Sequence, residues 1–442
     1  MRPLVDERAI PAQPSRQAPC ALPGTPLANM RGGIDACVHC GFCLQSCPTY
    51  LTLEDENDSP RGRILLMRLA LEGGLALDDP SLEVHIDRCL GCRACETVCP
   101  SGVPYGHLLE ATRATMAERR RLPFVARAIL WIFARPMLLT ASMAMSRVLR
   151  VTRIPALLSH LGGRLGFAMA MLASTRRATS SRRTVSQTGG GRGPVALLTG
   201  CVMEGLFTQT NRATERTLVT NDYALRDAPG QGCCGALHAH AGDADAARRL
   251  ARVNVAAFER ADVDHICVNA AGCGAMMKEY AHLLAHEPEW RERAERVSAK
   301  VRDVSELLTA AGGPKHGGGV KVRVAYDAPC HLVHAQRIAT APIDLLRAIP
   351  ELDLVPLNES EMCCGSAGIY NLVEPETSDV VLARKLENIS AAAPDVVTTG
   401  NPGCLMQIGA GLRAAKLPIG VAHPVELLDL SYENAGFYDG ER

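Results

Sequence analysis

The sequence predicts a multidomain protein of mixed α+β and α/β class, with a helical domain, a helical connector and two tandem α/β repeats. Three observations predict this class: two dense cysteine runs, an acid-free segment with a helical pattern, and two C-terminal halves with the same cysteine order. The 442 residues suffice for roughly two to three domains. With 47% apolar residues and zero net charge, the composition is that of a folded globular protein and not of a general nucleic-acid binder.

Composition along the chain divides it into six segments. We expect a disordered leader at 1–30, a cysteine-run domain at 31–120, an Arg-rich helical connector at 121–173, a Ser/Arg/Gly linker at 174–194, and repeats at 195–311 and 320–430. The leader has six prolines and no apolar signal-peptide core. Because 16 of the 18 cysteines fall into motifs typical of metal sites, we expect a reducing, cytoplasmic location.

The two cysteine runs have identical spacing. Residues 37–48 and 89–100 both read C-x2-C-x2-C-x3-C-P, on either side of a helix-patterned insert at 63–71. In two-cluster ferredoxins the fourth cysteine of such a run ligates the other cluster. We therefore predict a ferredoxin-like domain with two [4Fe–4S] clusters, zinc being the alternative that this spacing disfavours. The ligand sets are Cys37, Cys40, Cys43 and Cys99, then Cys89, Cys92, Cys95 and Cys47.

The C-terminal halves form an internal repeat. In each half a strand-like run leads to a cysteine, then to Cys-Cys-Gly, and a second strand-like run leads to Gly-Cys. The first cysteine lies 32 residues before the Cys-Cys pair in the first half and 33 residues before it in the second. The pair's second cysteine lies 39 and 40 residues before the cysteine of Gly-Cys. Strands that alternate with helical patterns, such as 244–260 and 378–389, predict largely parallel sheets. Ligands of such sheets lie beyond the carboxyl ends of the strands, where these cysteines are placed.

Each half collects four thiols. Adjacent cysteines diverge on a regular helix or strand, so Cys-Cys-Gly must occupy an irregular turn. Four sulfurs suit zinc or an iron–sulfur cluster, and a disulfide within the pair is the alternative. The predicted sets are Cys201, Cys233, Cys234 and Cys273, then Cys330, Cys363, Cys364 and Cys404. Cys267 has no counterpart in the second half, so we expect a buried strand cysteine, and Cys20 matches no motif.

These motifs resemble those of a known family. The repeats, with GCCGA at 232 and CCGSAGIY at 363, resemble the cysteine-rich CCG domains of the heterodisulfide-reductase type. The whole arrangement over residues 31–430, including ACVHCGFC and DRCLGCRACETVCPSGVPY, is similar to iron–sulfur subunits of glycolate oxidase (glycolate dehydrogenase). One departure is that Ala270 and Asn401 stand where heterodisulfide reductases have the first cysteine of a closing CxxC. Zinc, an ordinary cluster and a metal-free thiol pair therefore stay open for the repeats.

The resemblance implies an electron-relay subunit. In this family, FAD-containing subunits take electrons from glycolate to give glyoxylate, and the iron–sulfur subunit passes them toward a quinone-type acceptor. No G-x-G-x-x-G follows a strand in this sequence and no P-loop is present, so we assign no flavin site and no catalytic residue to the chain. The alternatives are a heterodisulfide-reductase-like module, or the iron–sulfur subunit of a lactate or glycerol-3-phosphate dehydrogenase.

The acid-free segment has two interpretations. From Arg119 to Met203 there is no Asp or Glu, and all fourteen charged residues are arginines. The first interpretation is a set of connector helices with exposed Arg heads. The second is a helix lying on anionic lipid at the inner face of the cell membrane, with residues 129–133 as its apolar part and Arg127, Arg135, Arg147 and Arg150 as its cations.

Overall fold

The computed structural model describes residues 19–175, 190–310 and 312–438. Residues 1–18 of the expected leader and 176–189 of the expected linker lie outside the described residues. Within the described ranges the chain forms a helical domain, four connector helices and two four-stranded parallel sheets that helices cover. The predicted mixture of α+β and α/β structure is confirmed.

Short helices build the N-terminal domain around the cysteine runs. They are α1 (Pro26–Asn29), α2 (Arg31–Asp35), α3 (Pro48–Leu53), α4 (Pro60–Leu71), α5 (Pro80–Asp87), α6 (Ala94–Thr97) and α7 (Tyr105–Ala117), with 3-10 turns at Leu44–Ser46 and Glu56–Asp58. α4 begins where Ser59 Oγ accepts a hydrogen bond from the Gly62 backbone N–H. Its buried face repeats at Ile64, Met67 and Leu71, the spacing of an amphipathic helix, and packs into the core of this domain.

Residues 19–30 are an ordered part of this domain. Leu22 and Leu27 are buried in the same core as α4. Thr25 Oγ1 caps α1 by accepting from the Ala28 backbone N–H, and the Ala21 N–H donates to Leu71 O at 2.7 Å. The prediction of a disordered leader is therefore wrong for 19–30, because the prolines there begin a helix or border turns while the leucines still reach apolar neighbours.

Four helices form the connector: α8 (Phe124–Phe133), α9 (Pro136–Val151), α10 (Ile154–Leu158) and α11 (Gly163–Ser174). Arg147 Nε donates to Gly205 O at 2.7 Å and Arg150 Nη1 donates to Leu206 O at 3.0 Å, so both arginines tie α9 to the first repeat. Among the described residues, no single helix has the length and apolar character to cross a membrane. α8 and α9 together satisfy those criteria, but they bend by 106° at their break.

The first repeat is a parallel sheet with order β2-β1-β3-β4. Its strands are β1 (Pro194–Leu197), β2 (Ala224–Leu225), β3 (His265–Val268) and β4 (Val301–Asp303). Its helices are α12 (Val202–Leu206), α13 (Thr208–Thr220), α14 (Ala236–His240), α15 (Ala244–Ala261), α16 (Ala271–Lys278), α17 (Tyr280–Leu283), α18 (Pro288–Lys300) and α19 (Val304–Thr309). The predicted strands before Cys201 and Cys273 are thus β1 and β3, the two central strands.

The second repeat has the same topology, with order β6-β5-β7-β8. Its strands are β5 (Val322–Tyr326), β6 (Leu352–Val355), β7 (Val396–Thr398) and β8 (Gly420–Ala422). Its helices are α20 (Ala341–Arg347), α21 (Tyr370–Val373), α22 (Pro375–Ala392), α23 (Pro402–Ala414) and α24 (Pro424–Asn434), with a π-helical turn at His331–Ala335. Two sheets with equivalent strand order and all-parallel pairing support the duplication that the cysteine spacing predicts.

The repeats pack against each other so that their cysteine loops meet. α24 lies along α13, where Arg216 Nε donates to Asp429 Oδ1 at 2.8 Å. The loops that follow the central strands β3 and β7 are joined by a hydrogen bond from the Ala271 N–H to Gly400 O at 3.0 Å. Because Cys273 and Cys404 follow these two loops, the packing brings the cysteine ends of both sheets to one region.

Candidate metal centres

The first predicted cysteine set surrounds one cavity. The cysteines that line it are Cys37, Cys40, Cys43, Cys99 and, from the other set, Cys95. The loop that carries the first three has positive φ at His39 (54°) and Gly41 (88°), which bends it around the cavity. The left-handed φ of Gly41 favours glycine at this position, because residues with a Cβ rarely adopt it. The four thiols around one space fit a [4Fe–4S] cluster.

The second cavity joins both cysteine runs. The cysteines that line it are Cys47, Cys89, Cys92 and Cys95. Burial raises the pKa of Cys92 and Cys95 well above the usual thiol value. These thiols would become thiolates when a bound metal offsets the cost of burying their charge. The crossed arrangement fits a second cluster, and the assignment of both ligand sets stays a prediction.

A buried cation lies beside the second cavity. Arg63 Nη1 is 4.0 Å from Cys47 Sγ and 3.1 Å from Thr49 Oγ1. Arg63 Nη2 donates to Asp58 Oδ1 at 3.1 Å, and Arg88 Nη1 donates to Asp58 Oδ2 at 3.0 Å. Both arginines hold Asp58, so the guanidinium of Arg63 keeps its place next to the thiol. A positive charge there would stabilise the reduced, more negative form of a cluster.

The four thiols of the first repeat come together beyond the sheet. Cys234 Sγ lies 3.2 Å from Cys273 Sγ, and the thiol of Cys233 interacts with those of Cys201 and Cys234. Gly235 has φ of +88°, and this left-handed conformation allows the turn that directs both adjacent thiols to one site. Asn254 Nδ2 donates to Cys233 O at 2.9 Å and Tyr280 OH donates to Cys234 O at 2.8 Å, which fixes the backbone of the cysteine pair.

The second repeat repeats this geometry. The thiol of Cys363 interacts with those of Cys330 and Cys364, and the thiol of Cys364 interacts with that of Cys404. Gly365 has φ of +87°, and a Cβ there would lie 2.7 Å from Ser378 O. All four cysteines of this set are buried. Each repeat thus collects four sulfurs at the carboxyl ends of its central strands, and Cys267 stays apart in the core between the repeats.

Asn401 connects the two cysteine sites of the repeats. Its Nδ2 donates to Cys404 Sγ at 3.4 Å, and its Oδ1 accepts from the Gly272 N–H at 3.3 Å. Gly272 directly precedes Cys273 of the first site. The equivalent residue Ala270 is buried and has no sulfur or polar atom to offer. Each repeat of this chain therefore provides four thiols at its site and not five.

The second repeat lies directly against the second cavity. Cys92, Cys330 and Cys363 belong to one buried cluster, together with Leu90, Ala94, Tyr370 and Val381. Tyr370 OH donates to Arg88 O at 2.8 Å across the same boundary. After burial itself, the charge of Cys363 is the next cause that raises the pKa of Cys92. The thiols of the N-terminal domain and of the second repeat therefore lie close together in an apolar environment.

A buried ion pair distinguishes the second repeat from the first. Lys385 Nζ lies 2.9 Å from Asp327 Oδ1, and both side chains are fully buried. Asp327 stands three residues before Cys330, where the first repeat has the apolar Leu198 before Cys201. Sequence reasoning missed this pair. A sequence signal for it was nevertheless present. A lysine four residues after Val381 in α22 lies on the helix face that packs into the core, and a buried lysine needs an acidic partner.

Histidines near the cysteine motifs mostly have protein partners. His240 Nδ1 lies 3.1 Å from Glu110 Oε1, and His334 Nδ1 lies 3.0 Å from Thr97 Oγ1. His331 lies beside the second-repeat site, with Nδ1 3.7 Å from Cys330 Sγ. Burial lowers the pKa of His331 to about 3, so its ring is neutral at physiological pH. These contacts support orienting and packing roles for the histidines.

The fold and the cysteine sites define a class: an iron–sulfur protein that joins a two-cluster domain to duplicated cysteine-rich repeats. Residues 33–103 match the family model of the 4Fe-4S dicluster domain. Residues 195–278 and 324–409 match the model of the cysteine-rich domain. These matches confirm the predicted iron–sulfur cofactors of the chain.

Comparison with known proteins gives the family. The chain is 36% identical over 417 residues to the probable glycolate oxidase iron-sulfur subunit of Bacillus subtilis, covering 90% of this chain and 94% of that protein. It is 32% identical over 407 residues to the glycolate oxidase iron-sulfur subunit of Escherichia coli, with 90% and 94% covered. Lactate utilization protein A of Geobacillus kaustophilus is 29% identical over 241 residues, covering 53% of this chain and 98% of that protein. The chain belongs to the family of glycolate oxidase iron–sulfur subunits, which confirms the predicted electron-transfer function.

Proposed function

We propose that this chain passes electrons from FAD-containing partner subunits, which oxidise glycolate to glyoxylate, toward a quinone. The names of its relatives support the substrate. The observation that carries the proposal is the series of adjacent thiol sites. Cys95 lines both cavities of the N-terminal domain, and Cys92 packs with Cys330 and Cys363 of the second repeat.

Residues of this chain hold the adjacent thiol sites close to one another. Iron–sulfur clusters, when bound, supply one-electron transfer and so divide the two electrons of a hydroxy-acid oxidation into single steps. Cys95 lines both cavities, so clusters held in them would lie a short distance apart. Arg63 places a fixed positive charge at the second cavity. The apolar cluster around Leu90 and Tyr370 packs between that cavity and the thiols of the second repeat.

Co-purification of the native complex tests the proposed function. We expect flavin in the complex and about eight iron atoms in the N-terminal domain of this chain. Added glycolate should bleach the flavin first and the cluster absorbance next, because the flavin receives the electrons of the substrate. Lactate is the second candidate substrate, in view of the relative named lactate utilization protein A. A flavin-free complex, or clusters that stay oxidised with both acids, would refute the proposal.

The connector exposes apolar surface beside its arginines. Phe124 is 80% and Met137 is 87% exposed, and Trp131 is half exposed with the Arg135 guanidinium over its ring. Arg147 and Arg150 instead donate to backbone oxygens of the first repeat. Both interpretations of the acid-free segment therefore find support, in different residues. We infer that α8 contributes peripheral contact with an anionic membrane, and that Arg127 and Arg135 are its cations.

Vesicle co-sedimentation of the complex tests this membrane contact. Binding to phosphatidylglycerol vesicles should fall as salt rises, because salt screens charge attraction. Replacing Arg127 and Arg135 by Gln should weaken binding by about 2 kcal/mol, or about 30-fold, at about 1 kcal/mol for each cation. The matched pair Arg147→Gln and Arg150→Gln should leave vesicle binding unchanged and lower thermal stability. If the complex ignores anionic vesicles at low salt, the connector only packs domains together.

A further inference from the structure

An apolar cavity lies where the N-terminal domain, the start of α8 and both repeats meet. Its volume is about 90 Å³, and it is open on one side. The apolar side chains in its walls include Leu90, Leu122, Ala126, Leu237, Ile369 and Val373. A half-open cavity with mostly apolar walls suits a flat, hydrophobic ring whose substituents extend outward.

One wall of this cavity is Cys89, a predicted ligand of the second cluster. Arg113 fixes the wall, because its Nη2 donates to Cys89 O at 2.7 Å while its Nη1 donates to His240 O at 2.9 Å. Tyr105 OH, on the other side, donates to Cys89 Sγ at 3.6 Å. A ring in the cavity would therefore lie next to a cluster ligand whose position is held by two side chains.

Two groups that can exchange protons line the same cavity. His240 has its Nδ1 against the Glu110 carboxylate, which leaves Nε2 as the nitrogen that can meet a ligand. Glu374 is half-buried in the opposite wall, and burial raises the pKa of its carboxyl above the ordinary value. The cavity thus combines apolar walls, an electron source and two proton-exchanging groups.

The start of α8 lies beside the cavity. Leu122, Pro123 and Ala126 line it, whereas the neighbouring Phe124 and Val125 are exposed. Leu122 and Pro123 precede α8 and Ala126 lies in it, and α8 is the helix that we assign to membrane contact. A long apolar tail attached to a bound ring would therefore find apolar surface along α8.

We propose that this cavity binds the ring of a lipophilic quinone, the acceptor in the proposed function on which this inference rests. The reaction balances: the quinone would take two electrons, which the oxidised hydroxy acid supplies and which the cluster that Cys89 would help to hold could pass on one at a time, and two protons, which would come from water through His240 and Glu374. The product is the quinol. No further oxidant or reductant is needed.

Quinone binding to the purified complex tests this proposal directly. The probe is a benzoquinone with a decyl tail, and its Kd is measured by titration calorimetry without substrate. Val373→Trp, which places an indole in the cavity, should weaken binding at least about tenfold while iron content stays unchanged. The matched control is Val380→Trp, because Val380 is exposed on α22 and does not line the cavity. It should bind the probe like the unsubstituted complex.

A second variant separates proton exchange from binding. Glu374→Gln should keep the Kd for the decyl quinone within about twofold and lower kcat for quinone reduction about 100-fold, the lower end of the range for a proton-transfer group. Equal binding by Val373→Trp, Val380→Trp and the unsubstituted complex would overturn the proposal. Because Kd is measured without substrate, a failure of glycolate to reduce the clusters would count against the proposed function and leave this result intact.

Discussion

Cys95→Ser is expected to remove one cluster and to stop electron delivery by this chain. Cys95 is buried and belongs to the predicted set at the second cavity, and it also lines the first cavity. A serine hydroxyl is a harder ligand that suits iron in a sulfur cluster poorly. We expect a loss of about four of about eight iron atoms and a fall in electron transfer to the acceptor of at least about 100-fold, because even the outer-shell partners of a metal ligand contribute about 10–100-fold.

Iron analysis, cluster absorbance and flavin bleaching measure this outcome on the assembled complex. Reduction of the partner flavin by glycolate should persist, because that step precedes the clusters. Cys20→Ser is the matched control: Cys20 is half-buried near the same core, but it lines neither cavity. Full iron content together with full activity in Cys95→Ser would show that Cys95 is not a cluster ligand and that its predicted set is wrong.

Cys364→Ala is expected to empty the site of the second repeat and to interrupt electron flow. Its thiol interacts with those of Cys363 and Cys404, and the site lies against Cys92 of the second cavity. The equivalent Cys234→Ala should lower metal content in the first repeat in the same way. Because metal binding contributes to folding free energy, both variants should also melt at lower temperature or assemble less complex.

Cys267→Ala is the control for this pair. Cys267 is a fully buried cysteine of β3, and burial raises the pKa of its thiol. It packs in the core between the repeats, apart from both cysteine sites. We expect its metal content and assembly to match the unsubstituted chain, with a modest stability loss from the lost sulfur contact. Equal metal loss in all three variants would mean that the repeat alignment assigns the wrong ligands.

Much of the architecture follows from local spacing. The strands before Cys201 and Cys330, and the helices at 244–260 and 378–389, occur within a few residues of their predicted positions. They were predictable because apolar runs and helical periodicity are local properties of the chain. The leader was harder to predict, since prolines suggested disorder while burial of Leu27 depends on helices far along the sequence.

Charge patterns alone could not assign the arginines of the connector. The absence of acidic residues from Arg119 to Met203 is visible in the sequence, but the partners of each guanidinium are not. Arg147 and Arg150 meet backbone oxygens of residues 204–206, whereas Arg135 lies over Trp131. The arginines of this one segment therefore have two roles. Some pack the connector against the first repeat, and others are candidates for membrane contact.

The sequence alone determined the class of this protein, since close cysteine spacing and an internal repeat specify iron–sulfur motifs and duplicated α/β domains without knowledge of distant contacts. Only the tertiary structure decided which sites lie together: the cavity shared by Cys47 and the second run, the contact of Cys92 with Cys363, and the cavity at Cys89. It also paired Asp327 with Lys385. These features join residues that are far apart in the chain. The packing of whole domains sets the distances between such residues, and no local sequence pattern encodes that packing.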